Sequence, residues 1–314
     1  AISYSKLGNV YSALGKLDMA LENYQKFTEL MEELYAANPK NESLKNGLAI
    51  SYGMIGDLYI KLGKIDEGLA NTEKANNLFK ELYQSNPKSE KLKNGLAVSY
   101  SKLGSIYQQS GDFDKALQFF NQYNALTKEL CKVNPKSENL KNNLAISYGK
   151  LGEIYQQSGD FDKALQFFKL RMQLGKELYQ ANPKSENIAY GLCISYERLG
   201  DIYRNLGNFE KALEYFTKLD ELISKLQAEN SKSEQINNEL AISYNKLGEI
   251  YQELGDFDKA LQFFNQYNEL RKELYQANPK SENLKNGLAN SYGMTGDLFL
   301  KLGRIDEGLA NIEK

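Results

Sequence analysis

One pattern repeats along this chain every 48 residues, and no insertion or deletion interrupts it. Each copy has a tyrosine at its fourth position, a glycine four residues later, and a second glycine seven residues after the first. The tyrosines are Tyr4, Tyr52, Tyr100, Tyr148, Tyr196, Tyr244 and Tyr292. A fixed period of this size predicts a stack of repeats, in which each repeat contacts only its neighbours. We therefore predict a single solenoid domain over residues 1–314, with repeats that start at residues 1, 49, 97, 145, 193, 241 and 289.

Each copy predicts two helices. In the copy spanning residues 241–288, apolar residues recur three, four or seven positions apart in two successive segments, which is the helical period. Gly255 lies between the segments and is predicted to be a left-handed C-cap. Asn278 and Pro279 follow the second segment, and we interpret them as the N-cap and first residue of the next helix. The pattern thus predicts antiparallel helices of about 18–20 residues, joined by short turns.

Composition restricts the classes of function. The chain has 39 basic and 41 acidic residues, so it lacks the basic excess of a nucleic-acid binder. It has no histidine, which excludes histidine-based catalysis and most zinc sites. Its mean hydropathy of −0.57 and short apolar runs predict neither a membrane span nor a secretory leader. We therefore predict a cytoplasmic protein that is not an enzyme and has no catalytic, cofactor-binding or metal-binding residue.

The two cysteines occupy different positions of their repeats. Other copies mostly have tyrosine or alanine where Cys131 and Cys193 stand. We interpret both as small buried thiols, because free cysteine packs like a small apolar residue. Two such thiols in a chain of this length fit a reducing compartment.

The order and spacing of the residues that recur in each copy resemble the tetratricopeptide repeat. Its residues in the first copy are Tyr4, Leu7, Gly8, Tyr11, Gly15, Ala20 and Tyr24, at the spacings of that family. The period is 48 residues instead of 34, and the excess corresponds to about four helical turns shared between the two helices. The resemblance implies an all-α, right-handed solenoid of antiparallel helix pairs, a tetratricopeptide-like superhelix of about six and a half elongated repeats.

One column of the repeat departs from the family. The family has a small residue seven positions after the alanine. Most copies of this chain have a larger residue there, which puts close packing of the second helix in question. The residues in this column are Phe27, Ala75, Tyr123, Arg171, Leu219 and Tyr267.

Gly8 is predicted in mid-helix, where glycine costs roughly 0.5–1 kcal/mol relative to alanine. We expect close approach of the second helix, with Ala20, or Gly68 and Gly308 in two copies, as the matching small surface, to offset this cost.

The resemblance implies that the first helices line a concave groove. Three kinds of residue recur there on one helical face: asparagine, a basic residue and an acidic residue. The asparagine amides would pair with a ligand backbone, and the lysine or arginine cations would pair with its carboxylates. The candidate partner-binding residues are Asn94, Lys102, Asn142, Lys150, Glu153, Arg198, Asp201, Asn238, Lys246 and Glu249. The same residues also fit a solvated face with weak Lys–Glu pairs three positions apart. The family's carboxylate clamp, Lys-x-x-x-Asn followed by Lys-x-x-x-Arg, is not in place, so no EEVD-type C-terminus is expected as ligand.

These features favour a non-catalytic scaffold that binds a protein or peptide, as the docking or sensor arm of a larger signalling protein. The alternative is a structural solenoid that self-associates through its ends, giving dimers or filaments. Neither end of the chain has the polar cap typical of terminal repeats. Residues 49–74 and 289–314 agree at 20 of 26 positions, which suggests a duplicated block and a fragment of a longer array.

Overall fold

The computed structural model describes all residues from 1 to 314 and contains fourteen α-helices and no strand. Successive first helices, and successive second helices, begin 48 residues apart from α3 onward, so the period predicted from the sequence is the period of the fold. The helices are α1 (Ile2–Ala13), α2 (Leu17–Ala37), α3 (Glu42–Lys61), α4 (Ile65–Ser85), α5 (Glu90–Gln109), α6 (Phe113–Val133), α7 (Glu138–Gln157), α8 (Phe161–Ala181), α9 (Glu186–Asn205), α10 (Phe209–Glu229), α11 (Glu234–Glu253), α12 (Phe257–Ala277), α13 (Glu282–Lys301) and α14 (Ile305–Ile312). Odd-numbered helices are the first helices of their repeats and even-numbered ones are the second helices.

The chain divides into two compact units, Ala1–Gly159 with α1 to α7 and Asp160–Lys314 with α8 to α14. Within each unit, every helix packs against the next helix in the chain. Each unit is therefore an all-α stack of helix pairs, as predicted. None of the fourteen helices combines the length and apolar character needed to cross a membrane.

The two helices of a repeat are joined by a tight turn at the second glycine. These seven glycines, from Gly15 to Gly303, have φ between 71° and 81°, the left-handed region that disfavours other residues. The following helix begins with an acid or amide in the central repeats. The Asp112 carboxylate accepts a hydrogen bond from the Lys115 N–H at 3.1 Å, and Asp160, Asn208 and Asp256 do the same in their copies. Both the glycine C-cap and the acidic helix start were predictable from sequence.

The prediction for the Asn–Pro pair was wrong. Asn278 ends α12, because its N–H donates to the Leu274 carbonyl at 3.2 Å, and Pro279 lies in the turn that follows. The N-cap is Ser281, whose hydroxyl accepts from the Leu284 N–H at 3.4 Å. The fifth copy keeps the same boundary without proline, because Ser233 caps α11 in the same way. A serine caps the first helix in this way from α5 to α13, Asn41 takes its place at the start of α3, and the proline is dispensable.

Aromatic rings cover the mid-helix glycine at the eighth position of four repeats, Gly8, Gly104, Gly200 and Gly248. A Cβ added to Gly104 would lie 2.6 Å from the Phe120 ring, and Phe264 covers Gly248 in the same way. Phe120 and Phe264 are fully buried. In these repeats the glycine allows close approach of an aromatic ring, where sequence predicted the alanine. In the second and seventh repeats the predicted small residue is close, because a Cβ on Gly56 would lie 3.2 Å from the Gly68 carbonyl oxygen and one on Gly296 would lie 3.0 Å from that of Gly308. Ala20 is fully buried nonetheless.

Buried polar pairs connect neighbouring repeats. The Asn76 amide donates to the Ser99 hydroxyl at 2.8 Å, and Asn124 donates to Ser147 at the same distance. In the sixth copy Asn268 donates to Thr295 at 2.7 Å. Because buried polar groups are costly when unpaired, these bonds fix one relative position of each second helix and the next first helix.

Candidate functional site

Two of the predicted lysines bridge successive first helices. Lys102 on α5 contacts Asp57 on α3, with 2.5 Å between Nζ and Oδ2, and it also donates to the Gly53 carbonyl at 3.3 Å. Lys246 on α11 contacts Asp201 on α9 at 2.6 Å. Both pairs connect residues 45 positions apart, one repeat less three residues. These lysines therefore stabilise the seam between repeats, in addition to presenting charge on the first-helix face.

The remaining predicted charges are also paired. Lys150 lies 3.6 Å from Glu153 on the same helix, a pair three positions apart of the kind that sequence indicated. Glu249 accepts hydrogen bonds from Arg204 on α9 and from Asn245, at 2.9 Å for the latter. Arg204 was not among the predicted residues, although it lies on α9 about one helical turn after Asp201.

A half-buried carboxylate lies beside these charged residues. Glu197 stands where other copies have glycine, serine or asparagine. Burial raises the pKa of the Glu197 carboxyl above its ordinary value, while Arg198 and Lys246 oppose that shift and Asp201 adds to it. The seam between α9 and α11 is thus crowded with charge, and its predicted residues Arg198, Asp201 and Lys246 are all at most half-exposed.

The three predicted asparagines have different surroundings. The Asn238 amide donates to the Glu234 carbonyl at 3.0 Å and its oxygen accepts from Arg271 at 2.7 Å, so both of its groups are engaged. Asn142 is exposed. Asn94 is half-buried, and its Oδ1 is shielded from solvent yet accepts no hydrogen bond from the protein.

Asn94 lines a cavity of 260 Å³ between α3, α4 and α5. Lys102, also predicted, lies at one end of it, and Ile50 and Val98 form its exposed rim. A further cavity of 370 Å³ lies between α3 and α5 and shares Lys102 with the first. The structure thus brings Asn94 and Lys102 together at one cleft, a grouping that sequence analysis did not identify. The signal that could have revealed it is Ala75, the one small residue in a column of large ones.

The two thiols are not activated. Cys193 is fully buried, and desolvation raises the pKa of its thiol to about 12. Cys131 is half-buried, and desolvation raises its thiol pKa too, against a weaker opposing effect of Lys141. The prediction of a buried thiol is confirmed for Cys193 and only in part for Cys131.

Family models agree with the geometry. Models described as tetratricopeptide repeat match residues 1–33, 49–87 and 97–129, residues 147–178 and residues 191–273. The chain belongs to the tetratricopeptide repeat family. No curated protein matches it in sequence.

Several solved structures share this fold at low sequence identity. BtubC (BKLC) from P. vanneervenii is 21% identical, with a TM-score of 0.62 over 79% of this chain and 88% of that protein. The apo form of RapI is 16% identical, with a TM-score of 0.63 over 99% of this chain and 94% of its own. A signal transduction ATPase with numerous domains from Pyrococcus horikoshii, which has a tetratricopeptide repeat sensor, is 13% identical with a TM-score of 0.68. That match covers 99% of this chain and 41% of the ATPase.

Proposed function

We propose that this tetratricopeptide repeat protein is a non-catalytic scaffold that binds a peptide or protein on the face formed by its first helices. Its tetratricopeptide repeats indicate a protein-interaction scaffold. We further propose that it is the docking or sensor arm of a larger cytoplasmic signalling protein. The similarity to an ATPase with a tetratricopeptide repeat sensor supports that role.

A row of exposed apolar side chains on the first helices carries this proposal. Ile50, Val98 and Ile146 occupy the same position in three successive copies and are 44%, 42% and 39% exposed. All three belong to the unit Ala1–Gly159. Apolar residues repeated on one face at 48-residue intervals form a contact surface, with the paired charges of Lys102 and Lys150 beside it.

The test is a selection of peptides from a random library on the wild-type protein. We expect the selected peptides to bind a variant with Ile50→Ser, Val98→Ser and Ile146→Ser at least about tenfold more weakly, since exposed anchors of this size contribute at that level. The matched control replaces two exposed apolar residues of second helices, Leu34→Ser and Val133→Ser. Equal affinity for wild type and the first-helix variant, or an equal loss in the control, would place the binding surface elsewhere.

Self-association is the second candidate function, favoured by the exposed apolar side chains of the terminal helices. Ile2 and Leu14 in and beside α1 are 73% and 64% exposed, and Ile305 and Ile312 on α14 are 59% and 50% exposed. A second copy or a further repeat would cover them. Light scattering over a hundredfold range of concentration tests this candidate: a constant monomer mass excludes it, and a mass that rises with concentration supports it.

A further inference from the structure

The cleft between α3, α4 and α5 exists because one side chain is small. Ala75, on α4, is only 2% exposed and lies at the floor of the 260 Å³ cavity. A Cβ added to Gly53 on α3 would lie 4.0 Å from the Ala75 Cβ, in ordinary contact, so two residues without bulk face each other across the cleft.

Four of the other five copies fill this position with a large buried residue, and the fourth copy has the half-buried Arg171. Phe27 is 6% exposed, Tyr123 5%, Leu219 0% and Tyr267 4%. The Tyr123 hydroxyl also donates to the Asn143 carbonyl at 3.0 Å, which closes the corresponding gap with a hydrogen bond. The cleft is therefore a local feature of the second and third repeats, and the repeat architecture does not require it.

Polar atoms without protein partners surround the cavity. Asn46 on α3 and Asn94 on α5 both line it, one repeat apart. The Asn94 oxygen is shielded from solvent without accepting a hydrogen bond, and the Asn46 side chain makes none. Buried acceptors of this kind are rare in native proteins because leaving them unpaired is unfavourable. A backbone N–H of a bound segment would satisfy the Asn94 oxygen.

The charge around the cleft has one sign. Its lining includes Lys91 and Lys102 and no acidic residue. The adjoining cavity adds Lys61 and the single carboxylate of Asp57, which is already paired with Lys102. Lys91 and Lys61 are exposed and form no ion pair. An occupant with carboxylates beside its apolar group is therefore electrostatically favoured.

We propose that this cleft anchors one large apolar side chain of an acidic partner segment, with Asn46 and Asn94 bonding its backbone and Lys91 meeting a neighbouring carboxylate. The proposal rests on the proposed function and specifies its binding site. The volume supports a side chain, since a cavity of about 150 Å³ holds a benzene ring and complete small-molecule sites usually exceed about 300 Å³. The cleft at 260 Å³ lies between these limits.

The first experiment fills the cleft. Peptides selected on the wild-type protein from a random library are titrated against Ala75→Phe, which introduces the residue that the first repeat has at this position. There, Phe27 and Met31 are both buried, and Met31 packs on Gly47 as Phe79 packs on Gly95. We expect an apolar residue flanked by Asp or Glu in the selected sequences and at least a tenfold loss of affinity for Ala75→Phe. Ala36→Phe, at an exposed alanine in the same unit, is the matched control and should bind as wild type does.

A second variant keeps the proposal testable if Ala75→Phe disturbs folding, which circular dichroism would show. Lys91→Glu changes an exposed side chain and should weaken the same peptides several-fold at low salt, with the difference fading as salt increases. The anchor site would be overturned if the selected peptides bound Ala75→Phe as tightly as wild type. If that variant misfolds, equal affinity for Lys91→Glu would overturn it instead. Either result would leave the scaffold function standing. A library that yields no binder would contradict both.

A titration with decanoate distinguishes an amphiphilic small molecule from a peptide. We expect no saturable shift of the Met54 methyl resonance, which reports on the cleft lining. A saturable shift that Ala75→Phe abolishes, in the absence of acidic-apolar peptides, would overturn the proposal in favour of a fatty-acid-like ligand.

Discussion

The seam between α3 and α5 and the seam between α9 and α11 have the same backbone arrangement and opposite character. In the first seam Gly53 and Ala75 face one another, and a cavity of 260 Å³ lies between the helices. In the second seam the equivalent positions hold Glu197 and Leu219. Leu219 is fully buried in a cluster with Cys193, which replaces the usual alanine.

Polar side chains differ between the two seams as well. The asparagine position of α3, Asn46, makes no side-chain hydrogen bond, whereas its counterpart on α9, Tyr190, donates to Glu239 at 2.8 Å. The comparison shows that the repeat backbone permits either a sealed seam or an open cleft. Side-chain volume at a few positions decides which one forms, so function can be added to one repeat without altering the others.

The largest expected effect comes from opening the sealed seam. Leu219→Ala should lower the free energy of unfolding by about 2–5 kcal/mol, because a fully buried leucine is lost and the surrounding side chains relax only in part. Hydrogen exchange should increase first in α9 to α11, since repeats lose stability locally. Chemical denaturation of the same protein gives the total loss. A loss below about 1 kcal/mol would mean that the surrounding side chains readily fill the space left by Leu219. Side-chain volume would then not explain the difference between the two seams.

A smaller effect separates two kinds of glycine. Gly200→Ala places a Cβ against the Phe216 ring and should cost about 1–3 kcal/mol through overpacking. Gly53→Ala, its control in the open seam, meets only Lys102 at 3.6 Å and Ala75 at 4.0 Å, and should increase the free energy of unfolding by about 0.5–1 kcal/mol, because glycine is unfavourable within a helix. Thermal unfolding of both variants decides the matter. Equal losses would show that the cleft is as tightly packed as the core.

The smallest effect concerns the polar pairs between repeats and depends on pH. Ser243 donates to Asp220 at 2.7 Å, where other copies have an asparagine that donates to the serine or threonine. Burial raises the pKa of the Asp220 carboxyl above its ordinary value. The folded state therefore holds this proton more tightly than the unfolded state, and stability decreases as pH rises from the ordinary aspartate pKa through the raised one.

Asp220→Asn should accordingly increase Tm at neutral pH, with the gain disappearing in acid where the wild-type carboxyl is protonated in both states. The converse change in the other unit, Asn76→Asp, should decrease Tm at neutral pH and recover in acid. Thermal melts of the two variants and wild type between pH 3 and pH 8 measure both effects. A gain for Asp220→Asn that is constant with pH would rule out the carboxylate as its origin.

Local features of the fold were predictable because each copy repeats its own signals. The tyrosine–glycine period, the helix pairs and the left-handed turn at Gly255 follow from spacing and from backbone preferences within a few residues. The Asn278–Pro279 turn was misassigned because asparagine favours both ends of helices. The serine three positions after the asparagine was the stronger signal, since its hydroxyl can satisfy a free N–H at the helix start.

The candidate site was less predictable because it depends on contacts between copies. The sequence indicated that Lys102 and Lys246 lie on one face of the first helices, but their pairing with Asp57 and Asp201 appears only when neighbouring helices are aligned 45 residues apart. The cleft depends on a missing volume at Ala75, which no pattern of residue types within one copy reveals.

The position of Lys102 has a consequence for how binding and rigidity are linked. This lysine belongs both to the cleft and to the ion pair that connects α5 with α3. A ligand carboxylate that draws Lys102 away from Asp57 loosens the connection between two repeats. By reciprocity, any change that weakens the Lys102–Asp57 pair increases the affinity for such a ligand by the same factor. The second and third repeats would thus act as a joint whose stiffness reports on occupancy.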